Sequence, residues 1–101
     1  MKKEAIVYDF PADKNQWLIE HRGISFEDVV TAIEAGAMLA ILPHPNIAKY
    51  PNQEVYLIEI QNYVYVVPFV TKEVNHVFLK TIFPHRKFTK QYLRGNDNEE
   101  A

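Results

Sequence analysis

The chain has 101 residues, 48% of them hydrophobic and 24% charged, which is the balance of a single globular domain with a small core. It contains no cysteine, which excludes a disulfide frame, a thiolate metal site and a Cys nucleophile. Its net charge of −2 provides no overall attraction to a polyanion, and no apolar run reaches the length of a membrane span.

The first stretch, MKKEAIVYDF, lacks the apolar core of a signal peptide, so the expected compartment is the cytoplasm. A short strand is predicted over residues 5–8. Pro11 suits a first helical position, and a helix is expected over residues 12–21, closed by Gly23. Trp17 and Leu18 are its expected buried side. Asp9 and Asp13 flank Pro11 and read as caps of this helix rather than as magnesium ligands. Ser25 and Asp28 have capping-box spacing. A second helix is expected over residues 26–35, with Phe26, Val29, Val30 and Ile33 forming one apolar stripe. Gly36 is a plausible stop.

A short strand is expected over residues 38–42, followed by an irregular loop, PHPNIAKYPNQ, rich in proline and asparagine. EVYLIEI and YVYVVPFV are rich in β-branched and aromatic residues and read as an antiparallel hairpin turning at Gln61–Asn62. Pro68, which has no N–H, belongs at a bulge or on an unpaired side. HVFLKTIF is a further strand ended by Pro84. A third helix is expected over residues 86–93, and residues 95–101 are a polar tail. The expected class is α+β: a small antiparallel sheet of three to five strands, packed against two N-terminal helices and one C-terminal helix.

Charge is unevenly placed. Residues 1–71 hold five Lys/Arg and nine Asp/Glu, a balance of −4, whereas residues 72–94 hold six Lys/Arg and one Glu, a balance of +5. Such asymmetry points to a surface that faces polyanions or, equally, to a solvated helix with cations near its C-terminus. Arg86, Lys87, Lys90 and Arg94 fall on one side of the third helix. Phe88 and Tyr92 fall roughly opposite, toward the sheet, with Thr89 on the flank. At the corner, His85 is the residue with a near-neutral ordinary pKa and suits proton transfer, while Arg86 suits stabilisation of phosphoryl charge. The competing reading of His85 is a corner residue bonded locally. By alternation Lys80 falls on the side of Phe78 and Ile82. The four histidines, His21, His44, His76 and His85, have no metal-ligand spacing, and no metal or other cofactor is expected. Tyr56, Tyr63, Tyr65 and Phe69 suit base stacking but more often serve as strand formers.

KNQWLIEHRGISFEDVVTAI, then a hairpin, then LKTIFPHRKFTKQYL, resembles the BrnT-like toxins of bacterial type II toxin–antitoxin modules, over about residues 6–94. Lys14 fits the family's lysine on the first helix. His21, Arg22, Gly23, Ile24, Ser25, Phe26 and Glu27 fit its passage into the second helix, and Ile82, Pro84, Arg86 and Lys87 fit its late corner loosely. Phe10–Pro11 stands where the family has Trp-Asp, Thr81 where it has Arg, and Pro84 where it has Ser.

The resemblance implies a fold similar to RelE-type ribonucleases and metal-independent cleavage of mRNA, free or on the ribosome, that arrests translation. It implies neutralisation by a ribbon-helix-helix antitoxin, with DNA contacted only through that partner and no membrane partner. The implied catalytic residues are His85, Arg86, His21 and Arg22. The implied RNA-binding residues are Lys14, Lys80, Lys87, Lys90 and Arg94. The departures keep a second reading open: an inactive homologue, acting as a non-enzymatic module whose basic last helix binds an acidic protein or nucleic acid.

Overall fold

A computed structural model describes residues 5–94, so the expected tail lies outside the described residues. The chain forms β1 (Val7–Asp9), α1 (Ala12–Arg22), α2 (Phe26–Glu34), β2 (Met38–Pro43), β3 (Glu54–Ile60), β4 (Tyr63–Glu73), β5 (His76–Leu79), β6 (Phe83–Pro84) and α3 (Arg86–Leu93). The class is α+β. The sheet has six strands and is mixed, in the order β1-β5-β4-β3-β2, with β6 also on β4. This corrects the expectation of an antiparallel sheet of three to five strands. β1 pairs parallel with β5, Tyr8 facing Val77. That contact joins segments nearly seventy residues apart, and local patterning carries no sign of it.

Local chemistry explains most boundaries. Gly23 closes α1 in the left-handed region at φ 67°, and its N–H donates to Ile19 O, as a glycine C-cap does. Ser25 Oγ accepts from the Asp28 N–H while Asp28 Oδ2 accepts from the Ser25 N–H, a complete capping box. Gln61 and Asn62 adopt φ 54° and 65°, the type I′ geometry that matches the twist of the paired strands. The cap of α1 differs from expectation. Pro11 is itself the N-cap, with no side-chain cap bond. Asp9 instead accepts from His76 Nε2 at 2.5 Å, across the β1–β5 pair.

Both faces of the central hairpin are covered. Tyr56, Ile58, Val67 and Phe69 face α1 and α2 and pack with Leu18, Phe26 and Val29. Val55, Leu57, Val64 and Val66 face the other way and meet Phe88 and Leu93 of α3. Strict alternation along β3 and β4 therefore feeds two apolar layers. Each fully buried Leu, Val or Phe contributes about 1.5–3 kcal/mol of transfer free energy. Tyr56 and Phe69 are buried and stacked at 4.0 Å between ring centres, so they act as core rather than as base platforms. Thr89, expected on a flank, is the buried polar residue of α3. Its hydroxyl donates to His85 O and accepts from the Val64 N–H, both at 2.9 Å. Tyr92 stays 37% exposed, because Thr89 and Leu93 take the sheet-facing positions.

The strand expected over residues 76–83 is broken. β4 pairs Phe69 with Leu79 and then Val66 with Phe83. Two residues of β4, Val67 and Pro68, therefore oppose three, Lys80 to Ile82. This is a β-bulge. Pro68 O accepts from the Lys80 N–H at 2.9 Å. In an extended residue the N and C=O point the same way, so the missing N–H of Pro68 also faces the bulge, where proline is tolerated. The bulge shifts the side-chain alternation: Val77, Leu79 and Ile82 are buried while Lys80 is exposed. Lys80 thus does not share a side with Ile82, as uninterrupted alternation would require.

Phe26 has no exposed surface and stacks on Phe10 at 4.9 Å between ring centres. Phe26→Ala is expected to cost about 3–5 kcal/mol in urea unfolding, whereas Val74→Ala, at an 89% exposed position, should stay within about 0.5 kcal/mol. A Phe26→Ala loss as small as that of Val74→Ala would contradict this packing.

Candidate functional site

Helix α1 turns Lys14, Trp17, His21 and Arg22 outward together, because positions three and four apart share a helix face. Trp17, expected to be buried, is 39% exposed, whereas its neighbour Leu18 is fully buried and supplies the packing of α1. Its indole is the centre of a cluster. Lys14 Nζ lies 4.6 Å from the ring centre and the Arg22 guanidinium carbon 5.1 Å from it. The His21 ring is stacked on it at 4.6 Å. Both cations are within cation–π range. Arg22 Nη1 also donates to Ile82 O at 2.5 Å. The bulge leaves that carbonyl available, so a long, exposed cationic side chain is tied to the sheet edge.

Backbone contacts fix the proton positions on three histidines. His21 Nδ1 lies 3.0 Å from Trp17 O. A carbonyl only accepts, so Nδ1 carries a proton and neutral His21 keeps its lone pair on Nε2. His85 is the reverse. It is the N-cap of α3, and its Nδ1 accepts from the Phe88 N–H at 3.1 Å. Its ring stacks on Phe88 at 4.1 Å between centres. Burial, and then the Lys87 charge, hold its pKa below the ordinary value. Neutral His85 therefore carries its proton on Nε2 and can donate there. It cannot accept a proton at Nδ1 without giving up the cap. His44 is also used locally, its Nδ1 accepting from the Asn46 N–H at 3.0 Å, and burial lowers its pKa.

The expected site residues fall into two groups. Lys14, His21 and Arg22 converge on Trp17, a residue that sequence reasoning assigned to the core. The signal for it was the i, i+3, i+7 and i+8 spacing of Lys14, Trp17, His21 and Arg22. Arg86, Lys87, Lys90 and Arg94 are exposed on α3, which packs on the opposite face of the sheet from α1. His21 and Arg22 therefore do not meet His85 and Arg86 in one cleft. The two groups are joined along the sheet rim by the segment from Ile82 to Arg86, four residue-to-residue steps that span at most about 14 Å. Lys80 lies on this rim, at the bulge. There it lines a groove of about 270 Å³ with His44, Tyr50, Gln53 and Phe83. A larger groove of about 420 Å³ lies between α2 and the β3–β4 turn, with Asp28 and Glu59 on its walls. Among the described residues no group of three or more His, Cys, Asp or Glu is placed to hold a metal ion, and no helix is long and apolar enough to cross a membrane.

No family model matches the chain, and no curated protein and no solved structure matches it significantly.

The two lowered histidine pKa values give a pH dependence with a definite sign. A depressed folded-state pKa means that the unfolded chain binds more protons. The stability from neutral His85 and His44 is therefore complete above their unfolded pKa of about 6.5 and is lost as pH falls through their folded values. Thermal melts between pH 7.5 and 5 should show this loss. His85→Asn keeps a capping acceptor and removes the titration, so it should shrink the acid-side loss. An unchanged pH profile in that variant would contradict the capping role.

Proposed function

We propose that this chain is a metal-independent endoribonuclease of the toxin type, with a RelE- or BrnT-like fold, that cuts mRNA in the cytoplasm and arrests translation. The observation that carries this reading is the Trp17 cluster. The indole is 39% exposed and suits stacking of an unpaired base, worth about 1–3 kcal/mol, when the flexible Lys14 or Arg22 side chain moves from its ring to an adjoining phosphate. His21 supplies the one group on this face with a free imidazole lone pair in its neutral form.

In this reading His21 Nε2 takes the proton of a ribose 2′-OH. The 2′-oxygen then bonds to the adjacent phosphorus, the bond from phosphorus to the 5′-oxygen breaks, and that oxygen leaves with a proton from solvent. Arg22 stabilises the charge that develops on the phosphoryl oxygens. Arg86, Lys87, Lys90 and Arg94 hold flanking backbone across the rim, and His85 organises the start of their helix. The resemblance to BrnT-like toxins supports the same class and adds a ribbon-helix-helix antitoxin as partner, whose acidic segment would cover the cations when the toxin is silent.

The second reading, a non-enzymatic module, is favoured by one feature: none of the four α3 cations has an ion-pair partner among the described residues. Expression of the chain alone separates the two. The toxin reading expects growth arrest with cut mRNA, and cleavage by the purified chain that persists in EDTA. His21→Ala should lower cleavage by roughly 10²–10⁴-fold with an unchanged melting temperature. Harmless expression, with RNA left intact by the folded chain, would support the binding module instead. Activity lost in EDTA and restored by Mg²⁺ would overturn the mechanism.

A further inference from the structure

The loop between β2 and β3 is closed by a bond from the His44 N–H to Gln53 O at 2.9 Å. Inside it the His44 and Tyr50 rings pack at 4.3 Å between centres, and Phe83 of β6 lies 6.5 Å from His44. These rings are half-buried and border the 270 Å³ groove at the bulge. That volume lies below the roughly 300–1,000 Å³ of sites for whole drug-sized ligands, and suits one planar ring system. Two cations flank it. Lys80 lines the groove, and Lys49 Nζ lies 5.5 Å from the Tyr50 ring centre. Gln53 also lines it, and its side-chain amide carries both a donor and an acceptor for a base edge. His44 keeps Nδ1 on the loop backbone, which leaves Nε2–H as its donor edge.

Position links this groove to the Trp17 cluster. Thr81 lines the groove, and the next residue, Ile82, gives its carbonyl to Arg22. The two sites thus touch adjacent residues of the bulge. The geometry points to a second nucleotide subsite: the groove formed by His44, Tyr50, Phe83 and Gln53 takes a base of the same single-stranded RNA whose neighbour stacks on Trp17, with its phosphate on Lys80. This rests on the RNA-binding reading above. It adds to that reading a path for the strand over the bulged edge of the sheet, and a role for the β2–β3 loop.

The two sites can be followed separately, because Trp17 is the one tryptophan of the chain. The full-length chain is titrated with a short 2′-O-methyl oligoribonucleotide, which cannot be cut. Trp17 fluorescence reports on α1, and the His44 ring resonances report on the groove. Both signals are expected to move together. Tyr50→Ala and Lys80→Glu should each weaken the oligonucleotide by roughly ten-fold while a mononucleotide still quenches Trp17. The Lys80 side chain is exposed and the bond that Lys80 gives to the bulge comes from its backbone N–H, so Lys80→Glu keeps the test valid if Tyr50→Ala melts early. Quenching of Trp17 with static His44 resonances and unchanged affinity in both variants overturns the subsite and leaves the RNA reading standing. No response at either probe overturns both. A shift at His44 alone supports the groove as a nucleotide site and removes α1 from the RNA path.

Discussion

Pro68 presents no N–H to the edge of β4 that faces residues 80–82, and the chain answers by bulging there. One missing donor has several consequences. It ends β5 at Leu79 and postpones β6 to Phe83. It shifts side-chain alternation by one, which sends Ile82 into the core and Lys80 to solvent. It leaves the Ile82 carbonyl outside the ladder, where the Arg22 guanidinium takes it. A buried carbonyl without a partner costs free energy, so Arg22 is held at the rim by a requirement of the backbone. Bulges recur beside functional sites because they re-aim side chains in this way.

The two-layer core decides what can face outward. Leu18 is the residue of α1 that is fully buried, and a helix that anchors through so narrow a contact exposes the rest of its surface. Trp17 lies there because Lys14, His21 and Arg22 cover part of its ring. α3 is anchored more deeply through Phe88, Thr89 and Leu93. The Thr89 hydroxyl joins the first turn of α3 to the Val64 N–H, so the helix carrying the four cations is tied to the central strand.

The histidines show how backbone contacts assign chemistry. His21 donates through Nδ1 and, when neutral, keeps its lone pair on Nε2. His85 and His44 accept through Nδ1 and keep an N–H. Residues of one type, with the same ordinary pKa, are thus divided into a proton acceptor and two proton donors by the carbonyl or N–H that each one meets. His76 is different again, because its partner is the Asp9 carboxylate across the parallel strand pair.

The elements that local chemistry controls were legible in the sequence: the Ser25–Asp28 capping box, the Gly23 stop, the Gln61–Asn62 turn, the β-branched and aromatic strands on either side of it, and the basic face of α3. Each depends on residues within a few positions of one another. Pro68 marked the bulge for the same reason, since its missing donor belongs to one residue. The tertiary structure alone decided the rest. The parallel β1–β5 pair, the placement of α1 and α3 on opposite faces of the sheet, and the exposure of Trp17 depend on contacts between distant segments. The tautomers of the histidines depended on local bonds, but the sequence did not reveal which backbone group each ring would meet. The sequence placed Lys14, Trp17 and His21 on one helix and Arg22 just past its expected end. Whether their side met the core or solvent was settled by how the helix packs on the sheet, a free energy summed over many residues that no short motif encodes.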